Sequence, residues 1–144
     1  MNTATSKACI DVCNSLLRGE ISAVETYDQA AEKFANEPQV KTLLRIREDH
    51  QASVDRLTMN VLSMGGQPNT SSGAWGAFAK TVQGAANLLG DDSALGALTK
   101  GEEHGRSEHT EALDNEDVMP ECKAMIRDEL LPRVNQHLST LNAL

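Results

Sequence analysis

Lys100-Gly101-Glu102-Glu103-His104-Gly105-Arg106-Ser107-Glu108-His109 repeats the pattern of Arg18-Gly19-Glu20-Ile21-Ser22-Ala23-Val24-Glu25-Thr26-Tyr27. The shared form is [RK]-G-E-x-x-[small]-x-x-x-[YH]-x-x-A, running on to Ala30 and Ala112. Both copies fall on sequence with helical periodicity, and both set a glutamate inside an apolar stripe. A carboxylate in such a place needs a partner. Two related helical hairpins with polar residues in their core are therefore expected.

Working outward, four stripes emerge. The first helix is predicted from Thr5 to Ala35, with Cys9, Val12, Cys13, Leu16, Glu20, Ala23, Val24, Tyr27, Ala31 and Phe34 on one face. Pro38 suits the opening of a second helix running to about Met64, with stripe Val40, Leu43, Leu44, Arg47, His50, Val54, Leu57 and Val61. Gly65-Gly66 ends it. A third long helix is expected from Ser93 to Leu113, carrying Leu95, Leu98, Glu102, Gly105, His109 and Ala112. Pro120 opens the last, which carries Cys122, Ile126, Leu130, Val134, His137 and Leu141 and is expected to kink at Pro132. Short turns make each pair an antiparallel hairpin. The Gly65 to Asp92 link is long enough to cross the molecule, which is the ferritin-like arrangement. All 144 residues form a single domain in this reading.

The link has an amphipathic stretch of its own, Ala74 to Leu89, with Trp75 and Phe78 close together. It can cover the core, mediate self-association or lie on a membrane, although it lacks the basic face of a membrane helix. A homo-oligomer, most simply a dimer, is expected from the paired aromatics.

Composition narrows the classes of function. Only four prolines and 3% aromatic residues suit an all-α chain. A net charge of -8 argues against nucleic acid as a partner. No apolar run approaches the roughly 20 residues of a membrane span, and the first residues lack a signal core, so a cytoplasmic protein is expected. Cys9 and Cys13 lie one helical turn apart; a C-x3-C pair can bind metal or oxidise, but buried small hydrophobes are the expectation.

Glu20, His50, Glu102 and His137 interrupt the four stripes and are the candidate metal ligands. A di-iron or di-manganese bundle uses two single glutamates and two E-x-x-H motifs. Here Arg47 and Val134 stand three residues before His50 and His137, where the other carboxylates belong. Arg47 is therefore expected between Glu20 and Glu102, in the cation's place, and its truncation is expected to cost about 3–5 kcal/mol. Glu25, Glu48, Asp49 and Glu103 can supply a ligand to a shifted site, but by periodicity they point off the core stripe and read as solvated surface; His104 reads as exposed. Tyr27 and His109, equivalent in the two copies, either donate hydrogen bonds across the bundle or simply pack.

Leu16 to Tyr27, Gly65 to Pro68, Ser72 to Lys80, Gly101 to Gly105 and Glu129 to Pro132 resemble a bacterial ferritin-like four-helix-bundle family known only as a domain of unknown function. More distantly, the chain is similar to the rubrerythrin and ferritin-like superfamily. The resemblance implies a bundle with a crossover helix and no assigned activity. Two classes of function stay open. One is a non-enzymatic bundle with a degenerate metal site and no cofactor, stress-associated or acting through its surface and oligomer. The other is a metal-binding or di-metal redox protein holding iron or manganese with a reduced ligand set.

Overall fold

The structure, a computed structural model, describes residues 3–72 and 91–144. The Ala74 to Leu89 stretch, with Trp75 and Phe78, lies outside the described residues. The remainder is helical, with no strand among the described residues. Helix α1 spans Thr3–Lys33, α2 Val40–Ser63 and α3 Asp91–Asp114. The fourth helix is continuous but composite: α4 (Pro120–Met125), a π-helical turn (Ile126–Leu130) and α5 (Leu131–Asn142).

Proline explains the composite form. Pro132 has no N–H to donate to the carbonyl four residues back, and its ring crowds that carbonyl. A wider turn just before it relieves the crowding, and Leu131 donates instead to the Ile126 carbonyl, five residues back. The expected kink is thus absorbed as a π-turn. Past it, Val134, His137, Leu138 and Leu141 all stay buried.

Glycine ends α2 as expected. Gly65 adopts φ 80°, a conformation that favours glycine, and donates to Leu62 O at 3.0 Å. Gly66 donates to Val61 O, also at 3.0 Å, completing a Schellman cap. A Cβ on Gly66 would fall 2.8 Å from Ile10 Cγ2, so the second glycine is required by close packing.

Cross-helix pairs give the directions. Cys13 meets Asn60, Glu20 meets His50 and Asp28 meets Arg47, so α1 and α2 are antiparallel. Tyr27 meets Glu102 and His109 faces Glu20, so α1 and α3 are antiparallel too. Arg56 meets Glu129, Ser53 meets Arg133 and Asp49 meets His137, which sets α2 antiparallel to the fourth helix. It follows that α2 and α3 run the same way, and α3 begins at the opposite end of the molecule from where α2 stops.

The core is layered. Cys9, Cys13, Leu16, Leu17, Leu57, Val61, Met119, Cys122 and Ile126 fill one end. Tyr27, Ala30, Phe34, Leu43, Ile46, Leu98 and Leu141 fill the other. Glu20, His50, Glu102 and His137 lie between these apolar layers, each no more than 5% exposed.

Two positions of the α2 stripe differ from the periodic reading. Ile46 is buried where Leu44 was expected, and Leu44 is 44% exposed. Arg47 lies on the flank, where its guanidinium meets Asp28 and Glu48, each at 2.9 Å. The expectation that it neutralises Glu20 and Glu102 is therefore corrected. Its long stem carries the charge outward, where water and exposed carboxylates solvate it, and the desolvation cost of the core site is avoided. Surface pairs of this kind contribute about 0.2–1 kcal/mol. Arg47→Ala is expected to melt within a few degrees of wild type in metal-free buffer. A drop matching the loss of a buried ion pair would contradict this placement.

Candidate metal centre

The glutamates are buried because their helices bring them there. Glu20 lies one turn after Leu16 and one before Ala23 and Val24, so burying the apolar face of α1 buries the carboxylate. The same periodicity acts on Glu102 between Leu98 and His109 of α3. His50 occupies the equivalent place on α2, and His137 on α5.

His50 takes the position expected of Arg47. Its Nδ1 is 2.5 Å from Glu20 Oε2 and its Nε2 is 2.6 Å from Glu102 Oε1. An ionised carboxylate only accepts, so both ring nitrogens donate and the ring is an imidazolium. Burial alone would lower its pKa, but the charges of Glu102 and Glu20 and their hydrogen bonds overcome that and raise it to about 10. Burial likewise acts to raise the Glu102 carboxyl; the charge on His50, then the nearby His137 ring, outweigh it and hold Glu102 well below the usual carboxylate range. The Tyr27 ring stacks on His50 with centroids 5.4 Å apart, and its hydroxyl donates to Glu102 Oε1 at 2.8 Å. Burial, then the Glu102 charge, pushes that phenol well above its ordinary value.

The two sequence copies reach across to each other. Tyr27 of the first contacts Glu102 of the second, and His109 Nε2 of the second lies 3.6 Å from Glu20 Oε1 of the first. His109 Nδ1 donates to Gly105 O at 2.6 Å, one turn back on its own helix. Its Nε2 then faces inward and has no hydrogen-bond partner. His137 repeats the arrangement. Its Nε2 donates to Asp49 Oδ2 at 2.9 Å. Its Nδ1 lies 3.3 Å from Glu102 Oε1 without the alignment of a hydrogen bond, and is also unpartnered. Both histidines are buried.

Ligand atoms of His50, Glu102 and His137 lie within 4.8 Å of one another. A cavity of about 40 Å³ is lined by Glu20, Tyr27, His50, Glu102, His109 and Val134, among others. A space of that size accommodates an ion or a water molecule. Val134 supplies only a methyl wall where an E-x-x-H bundle has a carboxylate.

Glu20, His50, Glu102 and His137 were all legible as interruptions of apolar stripes, and the fold brings them together. Asp49 is the one of the four flanking carboxylates that reaches the cluster: its side chain is 42% exposed and still meets His137. The weight of His109 was underread. Its signal was the repeat, which aligns it with Tyr27. Glu25, Glu48 and Glu103 stay exposed, and His104, 61% exposed, pairs with Glu108 on the surface.

Fold and site together define a class: among the described residues, four helices and no strand, with a glutamate–histidine cluster buried between two apolar layers. The chain belongs to the family described as a domain of unknown function (DUF2383), whose model matches residues 8–115. The matched span contains Glu20, Tyr27, His50, Glu102 and His109 and stops before Cys122 and His137. No curated protein and no solved structure matches the chain.

Proposed function

We propose that this is a ferritin-like bundle whose buried cluster binds a single divalent transition-metal ion, and that it acts by binding rather than by catalysis. One observation carries the proposal. Two buried histidines each have the outer ring nitrogen held, by Asp49 and by Gly105 O, and each points an unpartnered nitrogen at a buried carboxylate. Holding the far nitrogen is how proteins set the tautomer and orientation of a metal-ligating histidine. The opposed directions of α1 and α3, and the shared direction of α2 and α3, are what a ferritin-like chain order requires.

Charge supports one divalent ion. Glu20 and Glu102 together carry two negative charges, and the imidazolium of His50 cancels one. When a divalent cation enters and His50 gives up its extra proton, the two carboxylates are matched without residual charge. Imidazole and carboxylate donors suit iron, manganese or zinc. A two-metal redox centre needs bridging carboxylates to hold a second cation. Val134 and the outward-turned Arg47 occupy the positions that would supply them.

The test is a titration of metal-free, untagged protein with Fe(II), Mn(II), Zn(II) and Co(II) under anaerobic conditions, following heat and released protons. One ion per chain is expected, with about one proton released at neutral pH and tighter binding as pH rises. Glu20→Gln and Glu102→Gln are each expected to weaken binding at least tenfold. Two ions per chain with oxygen consumption on admitting air would replace this reading with the redox one. Absence of binding by any of the four ions would remove the metal reading.

A further inference from the structure

Three cysteines converge at the opposite end of α1 from Phe34. Cys9 and Cys13 lie one turn apart on α1, and Cys122 comes from α4 across the core. All three are buried and none forms a disulfide. Cys9 donates to Cys122 Sγ at 2.8 Å, and the three sulfurs lie within 4.8 Å of one another. Three thiolates around one ion, at the ~2.3 Å of a zinc–thiolate bond taken as the scale, stand about 4 Å apart. Cys9 and Cys122, at 2.8 Å, would part by about 1 Å to reach that figure. We propose that Cys9, Cys13 and Cys122 form a second metal site, which takes one Cu(I) ion through three sulfur ligands.

The surroundings select the ion. Met64 Sδ lies 3.9 Å from Cys122 Sγ, so a thioether stands beside the three sulfurs. The packed neighbours Leu16, Leu57, Val61, Met119 and Ile126 offer neither imidazole nor carboxylate. Soft sulfur donors favour Cu(I), whereas iron and manganese prefer the oxygen and nitrogen atoms of the glutamate–histidine cluster. Zn(II) would lack the nitrogen or fourth thiolate that closes its usual tetrahedron. Seven residues separate Cys13 from Glu20, about 10 Å along α1, so one bundle has a soft site and a harder one in series.

Asn60 completes the site from α2. Its amide Nδ2 donates to Cys13 Sγ and to Cys122 Sγ, both at 3.4 Å. Donors aimed at sulfur stabilise the thiolate. The hydrogen bond from Cys13, then those from Cys9 and Asn60, draw the Cys122 thiol down to about 6 against the opposing effect of burial. Burial and the Cys122 neighbour push Cys9 up to about 11, and the Cys122 contact and burial push Cys13 above its ordinary range. Binding forms three Cu–S bonds, and each thiol that joins the ion breaks its S–H bond and releases the proton to solvent. Copper enters and stays as Cu(I), so no electron is transferred. Met64 is partly exposed beside the Gly65 turn and touches Cys122, so the cluster is one side chain from solvent there.

The experiment titrates reduced, metal-free protein with Cu(I) under nitrogen against bathocuproine disulfonate. The expected result is one Cu(I) per chain withdrawn from the chelator. X-ray absorption on the same sample is expected to show sulfur neighbours only, three of them at bonding distance. Cys122→Ala is expected to lose at least 100-fold in affinity, and Asn60→Ala roughly tenfold, by the usual scale for groups that orient ligands. Glu20→Gln/Glu102→Gln protein, altered only at the other cluster, is expected to keep Cu(I) unchanged. If Cys122→Ala does not fold by circular dichroism, the absorption spectrum of the wild type decides alone. Copper left entirely on the chelator, nitrogen ligands at the ion, loss of Cu(I) in the glutamine variant, or equal retention of Zn(II) would each overturn the proposal.

Discussion

His50→Ala is expected to destabilise the protein by about 3–5 kcal/mol in metal-free buffer at neutral pH, the usual result of removing one partner of a buried ion pair. For a chain of this size that is a fall of roughly 10 °C or more in Tm. The imidazolium is the one cation touching both Glu20 Oε2 and Glu102 Oε1 among the described contacts. Without it, two carboxylates face each other across a space no larger than the lost ring. The penalty should shrink at about pH 4, where the destabilised carboxylates protonate instead. It should also shrink when a divalent ion is added, because the cation then takes the position of the ring. Thermal melts in three buffers check this: neutral and metal-free, acidic, and neutral with Mn(II) or Zn(II). A neutral, metal-free His50→Ala melt within about 1 kcal/mol of wild type would mean that Glu20 and Glu102 are not held as an ionised pair.

The second large effect is the dependence of stability on pH. The folded-state pKa of His50 is raised from 6.5 to about 10, so protonation is favoured by folding. The corresponding stability is fully present below about pH 6.5 and is lost progressively as pH rises toward about 10. Glu102 has the opposite sign. Its pKa is lowered from 4.5, so its contribution is present above that value and is lost as pH falls further. Stability should therefore be greatest between these limits and fall by a few kcal/mol on the alkaline side. Thiols titrate in the same range: Cys122, depressed from 9.0 to about 6, contributes with the opposite sign, and Cys9, raised to about 11, with the same sign above 9. Subtracting the pH profile of the Glu20→Gln/Glu102→Gln protein removes these shared contributions. The difference should retain the His50 limb, and the His50 ring resonances should titrate near 10 in wild type alone. A His50 midpoint near 6.5 in the folded wild type would refute the imidazolium assignment.

Both predictions depend on a residue that was visible before the structure, in a role that was not. Glu20, His50, Glu102 and His137 each interrupt an apolar stripe, and a stripe buried along its length buries its interruptions. That local rule located four of the cluster's residues. It failed at Arg47, one residue beyond the buried Ile46, because periodicity gives only the angle of a position around the helix. Whether a long side chain at the edge of a stripe points in or out depends on what waits at each end. Outside, Asp28 and Glu48 solvate the guanidinium; inside, His50 already neutralises the carboxylates. Asp49 shows the converse, a surface residue whose short side chain reaches His137 from the flank.

What the sequence determined by itself is what near-neighbour physics can specify. Apolar spacing set the four long helices, and Gly65-Gly66 set the end of α2. Pro132 required a disturbance in the last helix, and the repeated Gly-Glu motif required polar groups in the core. Tertiary structure alone decided which charge meets which. Tyr27 finds Glu102, and His109 faces Glu20, because α1 and α3 lie antiparallel. Cys122 joins Cys9 and Cys13 only because α4 packs against the start of α1, across more than 100 positions of chain. Helical periodicity is a property of a few consecutive residues. The partner of a buried charge or thiol is fixed by packing between helices distant in sequence, where desolvation makes one arrangement far more stable than the alternatives.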